Sequence, residues 1–444
     1  MRTRMRFLLA LGFLWGPLAL GAEWPGETWA ESTDLTALNP TGWASNLSGA
    51  FWNPETRRLW VCTNGPAKFW SLSEDGAGSF ALEREYAGTG DLEGITQIDA
   101  ASDRVFVIDE SARILRAYRI DTGAAAGSWT LSDIPDWGNS GPEGIAFVPD
   151  VWLGQSGFVD GSGVAYPQSV HGSAGFGGVL FVAIQTNGWV YAFDLRTDGT
   201  QTFVGRYLTS RTESCELAFD ASTRRMYILH NTGGNWIEVT DLTSTLVGGD
   251  RKFTTMSEIQ VPSESNIEGF ALTPAATVSG TPGDRWSFFT DDSAESGALR
   301  WFRELPSNMT KHAGDNQTSR AGEAVSVPPA VVARDAYGNP IPGLAIVFSI
   351  ESGGGSITGG NATSDASGIA AVGSWTLGDS ASVNTLSAAC AGLSGSPQQF
   401  TATVQPSMPA STGVGSAALV LLCLVAGFVR VQVTATLDRV RRFH

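Results

Sequence analysis

Short apolar runs separated by polar turns recur along most of the chain. The segments "AFWNPETRRLWVC", "TQIDAASDRVFVI" and "LAFDASTRRMYIL" share one frame: an apolar strand, a turn opened by Asn or Asp, an arginine and a second β-rich strand. A third strand follows, as in "GWVYAFDL" and "NWIEVTDL", and then a more polar fourth, as in "AGSWTLS" and "TFVGRYLT". This pattern predicts successive four-stranded meanders joined by turns.

A short motif opens five of these units. It reads "NLSGAF" from Asn46, "DLEGIT" from Asp91, "GPEGIAF" from Gly141, "SCELAF" from Ser214 and "NIEGFAL" from Asn266. Its third positions, residues 48, 93, 143, 216 and 268, are 45, 50, 73 and 52 residues apart. A period of about 45–50 residues with four strands per unit is typical of a β-propeller.

The repeat predicts a five-bladed β-propeller over residues 28–306. The fifth unit supplies only three strands, so we expect the N-terminal segment "ETWAESTDLTAL" to add the outer strand and close the ring. The longest interval contains a Gly-rich insertion after Asp150, which we interpret as a loop. Six blades are the alternative, if this insertion holds a degenerate blade.

The composition changes near residue 307, where tryptophan becomes rare and Val, Ala, Ser and Gly dominate. Residues 314–404 alternate apolar and polar positions in short strands separated by turns such as "YGNP" and "ASG". This pattern predicts an immunoglobulin-like β-sandwich behind a linker at residues 307–313. The predicted fold class is therefore all-β.

Both ends of the chain resemble targeting segments. Residues 1–22 combine three arginines with an apolar stretch and small residues, the pattern of a signal peptide. A linker at 405–412 precedes an apolar segment at 413–429 that is expected to be a transmembrane anchor, and the arginines of the tail at 430–444 would hold that tail in the cytoplasm. We therefore expect an exported protein anchored in the cell envelope, with its body extracytoplasmic.

The charge of the chain restricts its partners. A formal net charge of −16 with only three lysines leaves no basic surface for phosphates, which excludes nucleic acid as a partner. An acidic surface suits cations, although solubility alone explains most of the charge. Cys62 and Cys215 are the only cysteine pair within one predicted domain; a disulfide is one interpretation, and two buried free thiols are the favoured one.

The predicted topology brings acidic residues together. The motif lies where each innermost strand begins, and the second strand returns to the same end, so the next turn joins it there. Carboxylate and amide oxygens are ligands for Ca²⁺. The predicted metal ligands are Glu93, Glu143, Glu216, Glu268, Asp109 and Asp291. The predicted ligand-binding residues are Asn46, Asn64, Glu110, Asn187, His230, Asn231, Asn266 and Asp292.

Two simpler interpretations stay open for these residues. Each glutamate could accept backbone N–H bonds and fix its own turn, without binding a metal. His230 could be a general base at this face, but a polar turn residue is the favoured interpretation. A cluster of four buried carboxylates is costly unless a cation or protonation relieves the charge.

The segments "LSGAFWNPETRRLWVCTNG", "DLEGITQI", "RVFVIDE" and "NIEGFAL" resemble the SdiA-regulated (YjiK-like) propeller family, which is similar to the phytase-like propellers. The resemblance implies a five-bladed propeller with a calcium site formed by Glu93, Glu143, Glu268, Asp109 and Glu110. This chain departs from the pattern at two positions, because Ser48 replaces the first glutamate and Leu217 replaces a glycine. Phytase-like propellers hydrolyse phosphate esters with clustered lysines and arginines, which three lysines do not readily supply.

The segments "ARDAYGNPIPG", "SGGGSITGG" and "TSDASGIA" resemble the bacterial immunoglobulin-like domains of invasin and intimin. The resemblance implies a rigid spacer without a chemical site.

Three functional hypotheses follow. The favoured one is a binding module, in which a calcium-stabilised propeller on an Ig-like stalk recognises a small ligand, a glycan or an envelope protein. The alternative is a metal-dependent hydrolase of phosphoesters, esters or lactones at the same face. A purely structural surface protein is the third, and it gives the carboxylates no role.

Overall fold

The computed structural model describes residues 24–43, 46–98, 101–166, 175–261, 263, 265–274, 285–293, 297–303, 307–379, 382–390 and 393–405. Apart from one short α-helix and a 3₁₀ turn at Thr36–Leu38, the regular elements of these residues are β-strands. The all-β prediction is therefore confirmed. The predicted signal peptide, transmembrane anchor and basic tail lie outside the described residues.

The first strand, β1 (Thr33–Asp34), precedes five consecutive groups of strands, each antiparallel within itself, and a short parallel pairing of outer strands joins the third and fourth groups into one eight-stranded sheet. The first group is β2 (Leu47–Asn53), β3 (Arg58–Thr63), β4 (Lys68–Glu74) and β5 (Phe80–Ala87). The second is β6 (Leu92–Thr96), β7 (Arg104–Asp109), β8 (Ile114–Arg119) and β9 (Ala125–Thr130). The third is β10 (Pro142–Pro149), β11 (Gly178–Ile184), β12 (Val190–Leu195) and β13 (Gln201–Leu208). The fourth is β14 (Glu216–Asp220), β15 (Arg225–His230), β16 (Trp236–Val247) and β17 (Asp250–Gln260). The fifth is β18 (Ile267–Leu272), β19 (Trp286–Asp291) and β20 (Leu299–Arg303).

The N-terminal strand completes the fifth group, as the sequence predicts. Thr33 pairs with Trp301 and Asp34 pairs with Arg300, so the sheet order is β1-β20-β19-β18. The last group thus takes its outer strand from the start of the chain, which ties the two ends of the repeat together.

The first strands of the groups form a closed circle. Each of β2, β6, β10 and β14 contacts the first strand of the next group, and β18 contacts β2. Among the described residues, a separate hydrophobic cluster fills each of the five spaces between neighbouring groups. The arrangement is that of a β-propeller.

Burial falls from the centre of the ring to its edge. Every residue of β6 is buried, whereas most residues of the outer strands β5 and β9 are exposed or partly exposed. This difference in burial explains why the first strand of each group is apolar and the fourth is polar, because only the inner strands are covered on both faces.

The insertion after Asp150 is more ordered than the predicted loop. It begins with a helix, α1 (Asp150–Ser156), and continues with a bridge between Val159 and Ala165. Leu153 and Phe158 are buried in the cluster between the third and fourth groups. The loop interpretation was wrong for this part, because these apolar side chains fold the segment back onto the ring.

The remaining strands form the C-terminal β domain, residues 307–405. They are β21 (Asn308–Ala313), β22 (Gln317–Arg320), β23 (Ala330–Arg334), β24 (Ala345–Ser352), β25 (Gly355–Thr358), β26 (Asn361–Thr363), β27 (Ile369–Ala371), β28 (Ser374–Leu377), β29 (Val383–Ala389) and β30 (Gln398–Gln405). They form a three-stranded sheet, a five-stranded sheet and a two-stranded pair around one core that contains Phe348, Trp375 and Phe400.

The segment 307–313 is not a linker. It contains β21, which pairs with β23, and Met309 is fully buried in the domain core. The prediction was wrong here because the segment is polar apart from Met309 and the small Ala313. Its ladder of backbone hydrogen bonds to β23 and the buried Met309 side chain together attach it to the domain.

Two further predictions concern the cysteines and the membrane. Cys62 and Cys215 are buried and free, which confirms the interpretation as free thiols. Within the residues described above, no helix has the length and apolar character needed to cross a bilayer.

Candidate functional site

The repeated motif coincides with an irregularity at the start of the inner strands. The register of pairing shifts between Leu92 and Gly94 in β6, and equivalent shifts occur at the motif in β2, β10 and β18. In β14 the pairing is regular, with Glu216 opposite Leu229 and Leu217 opposite Ile228. The irregular register is therefore found where glycine follows the third motif position and is absent where Leu217 replaces it.

The motif glycines let the inner strands approach one another. A Cβ atom on Gly94 would lie 2.5 Å from the carbonyl oxygen of Glu143 and 2.9 Å from the Cα atom of Gly144. A Cβ atom on Gly49 would likewise lie 2.6 Å from the carbonyl oxygen of Glu93. No side chain fits at these distances, so the glycine of each motif has an architectural cause.

The turn after each second strand lies beside the motif, as the topology predicts. The Glu110 N–H donates to the Asp91 carbonyl at 2.8 Å, and the Asp292 N–H donates to the Asn266 carbonyl at 3.1 Å. The Asn64 N–H donates to the Asn46 carbonyl at 3.3 Å. Motif and turn residues therefore share one end of the propeller, called the acidic face below.

Three carboxylates converge on the acidic face. Asp91, Glu93 and Glu110 each place one oxygen within 4.8 Å of the others. Glu93 and Glu110 are 6% and 2% exposed, while Asp91 is at the rim. Glu143 is next to this group, since the carboxyl groups of Glu143 and Glu110 interact and each affects the pKa of the other. We call these four residues the carboxylate cluster.

Burial and mutual repulsion disfavour the charged forms of the cluster. Burial first, and then the charges of Glu268, Glu110 and Asp91, raise the pKa of Glu93 to about 8, against a hydrogen bond from Ser48 that lowers it. Burial, and then the charge of Glu93, raises the pKa of Glu143 well above its usual range. Among the described residues, no lysine or arginine forms an ion pair with the cluster. Protons or a bound cation must therefore balance its charge.

A second group of polar side chains lies on the side of the fifth group of strands. The Asn266 amide donates to Glu268 at 2.8 Å, and the Asn231 amide donates to the Asn266 side-chain oxygen at 3.2 Å. Burial, followed by the charge of Asp292, raises the pKa of Glu268 to about 7. The Ser48 hydroxyl donates to Glu268 at 3.4 Å and so connects this group to the carboxylate cluster.

Besides Glu268, three of the six predicted metal ligands have other partners. Glu216 is fully buried and accepts the backbone N–H groups of Ala50 at 3.0 Å and Leu217 at 2.9 Å. Asp109 accepts a bond of 2.6 Å from Arg116, and Asp291 accepts the N–H and hydroxyl of Ser293. These carboxylates have protein donors instead of the open oxygens that a metal needs.

The remaining predicted ligand-binding residues differ in how accessible their side chains are to a ligand. Asn187 accepts the Trp189 N–H at 3.0 Å within its own turn, and the Asn46 amide donates to the Gly65 carbonyl at 3.4 Å. His230 is fully buried, with Nδ1 against the Glu213 carbonyl and Nε2 3.4 Å from Glu238. The structure therefore does not present the His230 imidazole to a ligand.

Two residues of the acidic face, Asp91 and Asn139, are not among the site residues predicted from the sequence. Asp91 is the first residue of the "DLEGIT" motif, a position that the sequence predicts to bind a ligand only at Asn46 and Asn266. Asn139 precedes the third motif, and its amide nitrogen lies 3.2 Å from both Glu110 and Asp91 when the amide is oriented to donate. The signal for Asp91 was present in the sequence, whereas the position of Asn139 depends on the loop.

Comparison with known families supports part of the sequence interpretation. Residues 29–151 match the SdiA-regulated family. The matched part includes the motifs at Asn46, Asp91 and Gly141, and thus every residue of the carboxylate cluster. No curated protein matches the chain.

Several solved structures are similar at low identity. Glutaminyl cyclase from Myxococcus xanthus is 11% identical over 60% of this chain and 92% of its own, with a TM-score of 0.36. A nidogen/laminin complex is 13% identical over 58% and 83%, with a TM-score of 0.32. Hydrazine synthase from Kuenenia stuttgartiensis is 12% identical over 66% and 77%, also with a TM-score of 0.32. Similarity at this level says nothing about the chemistry of this chain.

Proposed function

We propose that this protein binds a hard divalent cation, with Ca²⁺ the best fit, at the carboxylate cluster of a five-bladed β-propeller, and recognises a ligand on the same face. One observation carries the proposal: Asp91, Glu93 and Glu110 converge within 4.8 Å without a cationic side chain among the described residues to balance them. The function is that of a binding protein.

The donor set suits such a cation. Hard cations prefer carboxylate, carbonyl and water oxygens, and the cluster offers carboxylate oxygens alone. Glu93 and Glu143 remain from the predicted metal ligands, Asp91 and Glu110 join them, and Glu268 is assigned to the second polar group instead. Glu216, Asp109 and Asp291 are left out, because backbone amides, an arginine and a serine already hold them.

The second polar group provides the place for a ligand. Glu268, Asn266 and Asp292 lie across Ser48 from the cluster, and burial raises the pKa of Asp292 above its usual range. A ligand that contacts the cation could form hydrogen bonds with these side chains. A small molecule, a glycan or a chain of an envelope protein would each fit this chemistry.

The wider architecture is part of the proposal. Five groups of strands around a closed circle of inner strands support five blades, and the described start of the insertion holds a helix. The strands of the C-terminal β domain support an Ig-like β-sandwich. From the sequence alone, we propose export and anchoring in the cell envelope by residues 413–429.

The first test is calorimetric titration of Ca²⁺ into chelator-treated protein. We expect saturable binding by the unaltered chain and by Glu85→Gln, a surface glutamate of the same ring that pairs with Lys68. Glu93→Gln and Glu110→Gln should each abolish or strongly weaken binding. No binding by the unaltered chain would overturn the cation proposal. Turnover of an ester, lactone or phosphoester by the Ca²⁺-loaded protein would favour the hydrolase alternative over a binding protein.

A further inference from the structure

A turn of the C-terminal β domain packs against the propeller. This turn, Asp335–Asn339, has the sequence "DAYGN". The Tyr337 ring packs edge-on against Tyr227 of β15 at 5.4 Å and against Trp24 at 5.9 Å between ring centroids. Tyr337 thus joins the hydrophobic cluster between the fourth and fifth groups of strands.

A buried arginine lies at the centre of this contact. Arg285, immediately before β19, is 2% exposed and forms ion pairs with Asp220 at 3.3 Å and with Asp335 at 2.8 Å. It also donates to the Tyr227 hydroxyl at 3.1 Å. A guanidinium is rarely buried without carboxylate partners, and here one of the two carboxylates comes from the other domain.

The two oxygens of Asp335 have separate roles. Oδ1 accepts the N–H groups of Tyr337 at 2.9 Å and Asn339 at 2.7 Å, which form the turn itself. Oδ2 accepts from Arg285 at 2.8 Å, from the Asn339 amide at 3.1 Å and from the Tyr227 hydroxyl at 3.4 Å. The backbone of the turn needs only Oδ1, and two of the three donors to Oδ2 belong to the propeller.

A second turn in the same domain shows the difference. Asp365 opens the turn "DASG" and accepts the N–H groups of Ser367 at 2.8 Å and Ile369 at 3.0 Å through Oδ1, as Asp335 does through its own Oδ1. Asp365 is exposed, and within the described part of the chain it forms no hydrogen bond or ion pair with the propeller. The two turns share one local structure, but only the turn at Asp335 is buried against another domain.

The contact lies on the face opposite the carboxylate cluster. Asp220 ends β14, whereas Glu216 begins it at the acidic end. Arg285 precedes β19, whereas Asp291 ends that strand at the acidic end. We infer that the C-terminal β domain is permanently docked on this opposite face through the turn Asp335–Asn339 and Arg285. The domain is therefore not a flexible spacer, and it holds the acidic face pointing away from itself.

Hydrogen exchange of the full chain, read peptide by peptide, tests this inference across the two domains. Arg285→Lys changes only the propeller and cannot bridge two carboxylates in the way a guanidinium does. We expect it to speed exchange by about tenfold in the distant turn at residues 335–341. Asp335→Asn keeps an oxygen for its own turn and should speed exchange by a similar factor in propeller peptides around Tyr227 and Phe289. The matched control, Asp365→Asn, should change exchange only near its own turn.

The hydrogen-exchange results of the three variants distinguish docked domains from independent ones. Loss of protection across the contact in both variants, but not in the control, supports docking. Changes confined to the substituted domain in each variant would overturn it, because the two domains would then move independently. Arg285→Lys and Asp335→Asn lie in different domains, so a folding defect of one variant leaves the other to decide. Neither result depends on the proposed cation.

Discussion

Glu216 and Glu93 occupy the same position of the same motif, but their surroundings differ. Glu216 is fully buried among the inner strands, where backbone N–H groups of Ala50 and Leu217 hold it. Glu93 lies beside Asp91 and Glu110 and repels them. One carboxylate thus satisfies the inner strands, while the other leaves a charge that something outside the protein can balance. A repeated residue need not have a repeated role.

The largest expected effect is on the free energy of unfolding, which distinguishes the role of Glu216 from that of Glu93. Glu216→Ala leaves buried N–H groups without an acceptor, each at a cost of about 1–3 kcal/mol, so we expect the free energy of unfolding to fall by roughly 3–5 kcal/mol. Glu93→Ala in the presence of chelator at pH 8 should leave stability unchanged or raise it, because it removes a repelled charge. Urea denaturation of both variants measures the difference. Equal losses would show that both glutamates serve the fold.

The second prediction concerns pH in the absence of a cation. The pKa of Glu93 is raised from 4.5 to about 8 and that of Glu268 to about 7, so the folded chain holds more protons than the unfolded chain between these values. The stabilising contribution is complete below the ordinary pKa and is lost as pH rises through about 8. We expect the free energy of unfolding with chelator to fall by a few kcal/mol between about pH 5 and pH 8.5.

Urea denaturation at steps of pH measures this slope. Glu93→Gln should make the slope shallower, since the amide does not titrate and only the share of Glu268 remains, whereas Glu85→Gln on the surface should leave it unchanged. A slope that Glu93→Gln does not alter would place the titrating group elsewhere.

The third prediction concerns the effect of Ca²⁺ on thermal stability. At a concentration about one hundredfold above the dissociation constant, a ligand that binds only the folded state adds about 2.7 kcal/mol to stability. We expect Ca²⁺ to raise the melting temperature by several degrees at pH 8 and by less at pH 6, where protons compete for Glu93. Differential scanning calorimetry measures both shifts. Glu93→Gln should remove the shift, and an equal shift in that variant would show that Ca²⁺ binds elsewhere.

The sequence predicted the arrangement of strands more completely than it predicted the functional site. The period of the motif and the alternation of apolar strands identified the five groups and the strand that closes them, because both depend on local patterns. The departure at Leu217 was visible too, but its consequence was not. Only the regular register of β14 and the N–H groups of neighbouring strands show that Glu216 is buried among the inner strands.

Two ion pairs account for other points at which the structure differs from the prediction made from the sequence. Arg116 reaches Asp109 from the neighbouring strand, and Arg285 reaches Asp335 across a domain boundary. The sequence shows the charges but not these contacts, since long side chains choose partners in three dimensions. For the same reason the turn "DAYGN" was interpreted as part of a spacer, although it is buried against the propeller.

The smallest expected effect lies at Ser48, the motif position that lacks a glutamate. Its hydroxyl donates to Glu268 at 3.4 Å and lowers the pKa of both Glu93 and Glu268. Ser48→Ala should therefore raise both pKa values and weaken Ca²⁺ binding slightly, with a change in stability of about 1 kcal/mol or less at pH 8. Carboxyl chemical shifts followed through a pH titration measure the pKa changes directly. If Ser48→Ala leaves both titrations unchanged, the hydroxyl is not the link between the two acidic groups, and the cluster at Glu93 and the group at Glu268 are independent.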